Sequence, residues 1–164
     1  MTAGMCFETE ENQVEDKSAK LSTQELWMRL FRSASVGDYL EHTGDACEMP
    51  AFSEYISQLC MERNEKPESI IKRSNLDSSY GHRLFSGARN PSRDTVLQLA
   101  FGFGMDTDEA QQLLKIARVT ALHPRVKRDA VIAYCLHHRI NVTETQMVLY
   151  DHNLPLLGVR RNEG

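Results

Sequence analysis

Two helices too short to stand alone, joined by a turn that few residue types can make, constrain this chain more than any other feature. They lie between Ser69 and Pro91. Ile70 and Ile71 mark the apolar face of the first, and Asn75 follows where the chain must reverse, a residue type that enters left-handed backbone angles at low cost. Leu76 plugs the corner. Asp77 then offers a side-chain oxygen to the free amides of a following helix, so the second helix starts at Ser78, carries Tyr80, Arg83 and Leu84, and closes at Gly87. Helices this short are marginal in water, so both must be held by packing against others.

The rest of the sequence supplies those others. Phe52, Tyr55, Ile56 and Leu59 recur at helical spacing up to about Asn64. After Pro91, Ser92 caps a helix through Val96, Leu97, Leu99, Ala100 and Phe101, with Gly102 and Gly104 at its end. Asp106 to Glu109 opens another with Ala110, Leu113, Leu114 and Ala117. Beyond Pro124 come a helix through Ala130, Val131, Tyr134 and Cys135, and a last one that Thr143 and Gln146 would cap. No run alternates with period two long enough to require a sheet, so the chain is expected to be all-α.

Upstream, Ser22 and Glu25 have the spacing of a capping box ahead of Leu26, Trp27, Leu30 and Phe31, which share one helical face. Val36, Tyr39 and Leu40 suggest a second short helix. One short helix cannot bury Trp27 and Phe31, so this face is expected to dock on the main domain, on a second copy or on a protein partner. The organisation expected is therefore a disordered acidic tail over 1–20, an amphipathic helical segment over 21–49, a main domain over 50–119, a helical pair over 120–158 and a tail over 159–164.

A length of 164 residues with 41% hydrophobic content suffices for a core. Net charge is −4, which argues against indiscriminate nucleic-acid binding by the whole chain. Its distribution says more: residues 1–49 hold four Lys and Arg against ten Asp and Glu, a balance of −6, so the remainder carries +2. A polar, acidic start without an apolar core speaks against a secretory signal, and no run approaches the ~20 apolar residues of a membrane helix, so the expectation is a cytoplasmic protein. Cys6, Cys47, Cys60 and Cys135 lack paired spacing, which indicates neither a disulfide framework nor a zinc site. Cys135, His137 and His138 do not converge on a helix, and no metal or other cofactor is expected. No phosphate-binding glycine loop, nucleophile elbow or His and carboxylate arrangement is legible, so no enzyme is expected.

The stretch from Asp77 to Ser92 resembles the phage-repressor-like helix-turn-helix family, also called the xenobiotic-response-element type. Asp77 stands where the family has a capping Ser, and Tyr80, Leu84, Gly87, Arg89, Pro91 and Ser92 follow at the family's spacing. Thr95, Leu97, Leu99, Ala100 and Gly104 extend the resemblance, which covers about Phe52 to Ala117. Three positions depart from it. Ile71 occupies the place of a small Ala, Ser74 replaces a core hydrophobe, and Gly81 replaces a buried aliphatic at a cost of roughly 1 kcal/mol against Ala in a helix interior.

The resemblance implies a lambda-repressor-like fold, with flanking helices at both ends, that binds double-stranded DNA as a homodimeric transcription regulator. It assigns base edges to Ser78, Ser79, His82, Arg83 and Ser86, and phosphates to Arg89 and Arg93, with Lys72 and Arg73 adding to the surface. Lys115 and Arg118 are explained by a helix dipole, whereas Arg125 to Arg128 divide evenly between a second phosphate contact and a partner surface. The alternative function is a repressor-like domain serving as a protein-interaction module, which Gly81, Ser74, the serine-rich reading positions and the negative net charge favour.

Overall fold

A computed structural model of the chain describes residues 21–44 and 48–158, and the tails expected over 1–20 and 159–164 lie outside the described residues. Helices and turns account for the described residues, with no strand among them, so the fold is all-α. None of these helices is long and apolar enough to cross a membrane. Backbone proximity divides the chain at Glu48 and Met49 into two compact units.

The first unit holds α1 (Thr23–Arg32) and α2 (Val36–Thr43). The expected capping box is formed, with the Glu25 amide donating to Ser22 Oγ and the Ser22 amide donating to the Glu25 carboxylate. Within this unit alone the apolar face stays open. Trp27 is 55% and Phe31 78% exposed, and neither helix of this unit buries a residue. The physical reason is size: two helices of ten and eight residues enclose too little volume, and the two rings instead stack on each other at 5.6 Å.

The second unit holds α3 (Phe52–Glu62), α4 (Pro67–Arg73), α5 (Ser78–Ser86), α6 (Arg93–Gly102), α7 (Thr107–Ile116), α8 (Lys127–His137) and α9 (Val142–Asp151). Every residue of α6 from Thr95 onward is buried, so this helix is the axis on which the others assemble. Helices α7 and α9 open on Asp106 and Asn141. The last cap is thus Asn141 rather than Thr143, because the Asn141 side chain accepts from the Glu144 amide at the same three-residue spacing, two residues earlier.

The hairpin α6–α7 and the hairpin α8–α9 are two copies of one design, 35 residues apart. Left-handed residues end the helices at Gly104 and Arg118 in one copy and at Arg139 and Asn153 in the other. Gln111 clasps Leu122 through both its amide atoms, at 2.9 and 2.8 Å, and Gln146 clasps Leu157 in the same way at 2.8 Å twice. Arg93 donates to the carbonyls of Thr120 and Ala121; Arg128 donates to those of Pro155 and Leu156. Each arginine then reaches across to the other hairpin's carboxylate, Arg93 forking onto Asp129 at 3.1 and 2.9 Å and Arg128 onto Asp94 at 3.0 and 2.9 Å. The carboxylates complete the exchange by accepting the amides of His123 and Gly158. An interaction returned residue for residue is the mark of a twofold relation, here within one chain.

Burial pushes the Asp94 carboxyl up, but the hydrogen bonds from Arg128 and the Gly158 amide, with the charges of Arg128 and Arg93, outweigh it and hold the group below its ordinary value. A depressed folded-state value contributes stability above the unfolded value, about 4, and that contribution disappears as pH falls through the folded one. Asp94→Asn is therefore expected to cost on the order of 2 kcal/mol in urea unfolding at pH 7, less than the ~3 to 5 of a fully buried pair because the carboxylate keeps some solvent. The difference from the parent chain should narrow as pH drops below about 4; a gap constant from pH 7 to pH 3 would contradict this account.

Candidate nucleic-acid interface

The segment α4, turn, α5 is built from the residues the sequence pointed to. Asn75 adopts a φ of 56° between the two helices, and Asp77 accepts the Tyr80 amide at 3.1 Å to open α5. Gly87 closes it at a φ of 81°. Ser53 sits 3.1 Å from where a Gly87 side chain would begin, which adds a spatial demand to the conformational one.

Two of the three departures compensate each other, and the third is fitted to α6. A Cβ on Gly81 would lie 2.5 Å from Cγ2 of Ile71, so the isoleucine of α4 fills the volume that α5 leaves empty. Large and small have exchanged places between the facing helices. Ser74 is fully buried, its hydroxyl donates to the Ile70 carbonyl at 2.7 Å, and it faces Gly102 of α6 so closely that no side chain fits there. A larger hydrophobe at 74 would meet that backbone. The glycine in α5 therefore marks tight packing against α4 rather than a loosened helix.

With Gly81 and Leu84 buried and Tyr80 and Phe85 partly so, the opposite side of α5 is free. At about 100° per residue, Ser78, His82, Ser86, Ser79 and Arg83 fall within an arc of roughly 140°. All five are exposed. Arg89 is also exposed, in the loop between α5 and α6, while its backbone amide donates to the Arg83 carbonyl at 3.2 Å and ties that loop to the helix. A chain of hydroxyls then fixes α5 to the start of α6, with Tyr80 Oη 3.2 Å from Thr95 Oγ1 and that atom 2.9 Å from Ser92 Oγ. A polar groove of about 800 Å³ opens between these two helix starts, the turn at Asn75 and the carboxyl-terminal residues Leu157 and Gly158.

Two of the expected cations lie elsewhere. Arg93 spends four donor contacts on Thr120, Ala121 and Asp129, so it is a staple between hairpins rather than a charge offered to phosphate. Arg73 donates to the Gly102 carbonyl at 3.0 Å and pairs with Glu65, which turns it toward α6. Lys72 stays exposed at the end of α4. Arg128 is engaged in the same manner as Arg93, whereas Arg125 and Lys127 are exposed. Cys135 faces the core while His137 and His138 face outward, and the described residues hold no group of three side chains suited to a metal. Comparison with protein-family models, with curated proteins and with solved structures finds no match for this chain.

The reciprocal fit predicts strong coupling between positions 71 and 81. Gly81→Ala should destabilise by about 1 to 3 kcal/mol through overpacking, despite the ~1 kcal/mol gain in helix propensity, because Ile71 is β-branched and stiff. Ile71→Ala alone should cost about 2 to 5 kcal/mol through a cavity. Combining Ile71→Ala with Gly81→Ala should recover on the order of 2 kcal/mol relative to the sum of the two single changes. Denaturant unfolding of the four proteins measures this, and strict additivity would refute the fit.

Proposed function

We propose that this chain is a sequence-specific, double-stranded DNA-binding regulator of transcription whose helices α3 to α7 form a phage-repressor-like helix-turn-helix domain, with α5 as the major-groove reader. The observation that carries the reading is the free arc of α5, on which Ser78, Ser79, His82, Arg83 and Ser86 stand exposed on a helix whose other side is anchored. Arg83 can grip a guanine edge with two hydrogen bonds, and the serines and His82 add adjustable donors and acceptors. Arg89 and Lys72 serve the phosphates.

A nine-residue helix spans about 13 Å and reads few base pairs. We therefore infer a homodimer on two half-sites about one helical turn, ~34 Å, apart. The cytoplasm is the compartment in which such a regulator acts. A second reading, a protein-interaction module, draws on the exposed stack of Trp27 and Phe31, with Leu26 and Leu30 half-buried beside it.

An operator selected from random duplexes tests the first reading. On it, Arg83→Ala should cost about 1 to 3 kcal/mol and relax selectivity at one position. Arg89→Ala should weaken all duplexes alike and reduce the magnitude of the salt slope by roughly one. Fluorescence anisotropy at several salt concentrations distinguishes the two. If no preferred duplex emerges, the protein-interaction reading replaces this one.

A further inference from the structure

We propose that the loop entering α8 is a second phosphate-contacting surface, with Arg125 and Lys127 gripping the DNA backbone beside the site read by α5. The proposal rests on the DNA-binding reading of α5 and extends its footprint to a hairpin that the helix-turn-helix resemblance does not cover.

Placement is the first ground. The start of α6 is tied on one side to α5 by the Tyr80, Thr95 and Ser92 hydroxyls, and on the other to the start of α8 by the crossed pairs of Arg93 with Asp129 and Arg128 with Asp94. The starts of α5 and α8 are therefore both tied to the first turn of α6. Arg93 also holds the carbonyls of Thr120 and Ala121. The segment carrying Arg125 and Lys127 is thus anchored at both ends, Ala121 and Asp129, to the helix that follows the Arg89 loop.

Charge is the second. Over residues 87–94 and 120–129 the sequence carries five cations, Arg89, Arg93, Arg125, Lys127 and Arg128, against two carboxylates, Asp94 and Asp129. Both carboxylates are consumed by Arg93 and Arg128. The charged residues that remain exposed in these stretches are all cations: Arg89, Arg125 and Lys127. With both carboxylates of these stretches paired, Arg89, Arg125 and Lys127 are left to contact a polyanion and release its counterions.

The test is the salt dependence of full-length protein binding to the selected operator. Replacing both Arg125 and Lys127 by Ala should lower the magnitude of the slope of log K against log[salt] by about two, close to 0.9 per phosphate contact, and leave the preferred sequence unchanged. Arg125→Lys should keep the parent slope. Arg139→Ala, just beyond the far end of α8, should also keep it. Circular dichroism of each variant establishes that it is folded. A double variant with the parent slope on an operator that the parent binds would overturn this proposal and leave the reading of α5 intact; a parent chain that binds no duplex would overturn both.

Discussion

The crossed exchange between Arg93 and Asp129 and between Arg128 and Asp94 is the interaction on which the rest of the second unit depends. It joins the starts of α6 and α8, and through four carbonyls and two amides it also seals the ends of both hairpins. Ion pairs of this burial stabilise little unless their remaining hydrogen-bonding capacity is met, and here each guanidinium and carboxylate finds additional backbone partners. The wider consequence is geometric. Because α6 is buried from Thr95 onward, fixing its first turn helps to fix α4 and α5 against it, and the outward arc of α5 shares that anchoring.

Much of this was legible in the sequence, because caps and turns are local. Ser22, Asp77, Ser92 and Asp106 open the helices they were expected to open, and Asn75 and Gly87 take the left-handed angles that their residue types favour. The miss at the last helix was also local, since Asn141 and Thr143 both offer capping oxygens and only the backbone decides between them. The fate of Arg93 was not local. Its carboxylate lies 36 residues away, and nothing near it in sequence distinguishes a staple from a free cation.

The repeat was present in the sequence but obscured. Arg-Asp at 93 and again at 128, Gln at 111 and 146, and Leu at 122 and 157 keep one spacing. Between them the copies have diverged, because the same position meets different surroundings. Leu99 is fully buried within the axial helix, whereas its counterpart Tyr134 is 61% exposed. What persisted is the set of residues that clasp one hairpin to the other, which identifies the clasp as the constraint both copies share. The volume exchange between Ile71 and Gly81 was unreadable for another reason: each residue looks unfavourable alone, and only the closeness of α4 and α5 makes them a pair.

That pair also governs how such a sequence can change over time. Enlarging position 81 before position 71 shrinks produces a clash, and shrinking 71 first opens a void, so every single step away from the present arrangement passes through a less stable chain. The five residues on the other side of α5 carry no such mutual obligation. A lineage can therefore revise the outward text of this helix one letter at a time while its inward side stays frozen, which separates the rate at which recognition drifts from the rate at which the fold does.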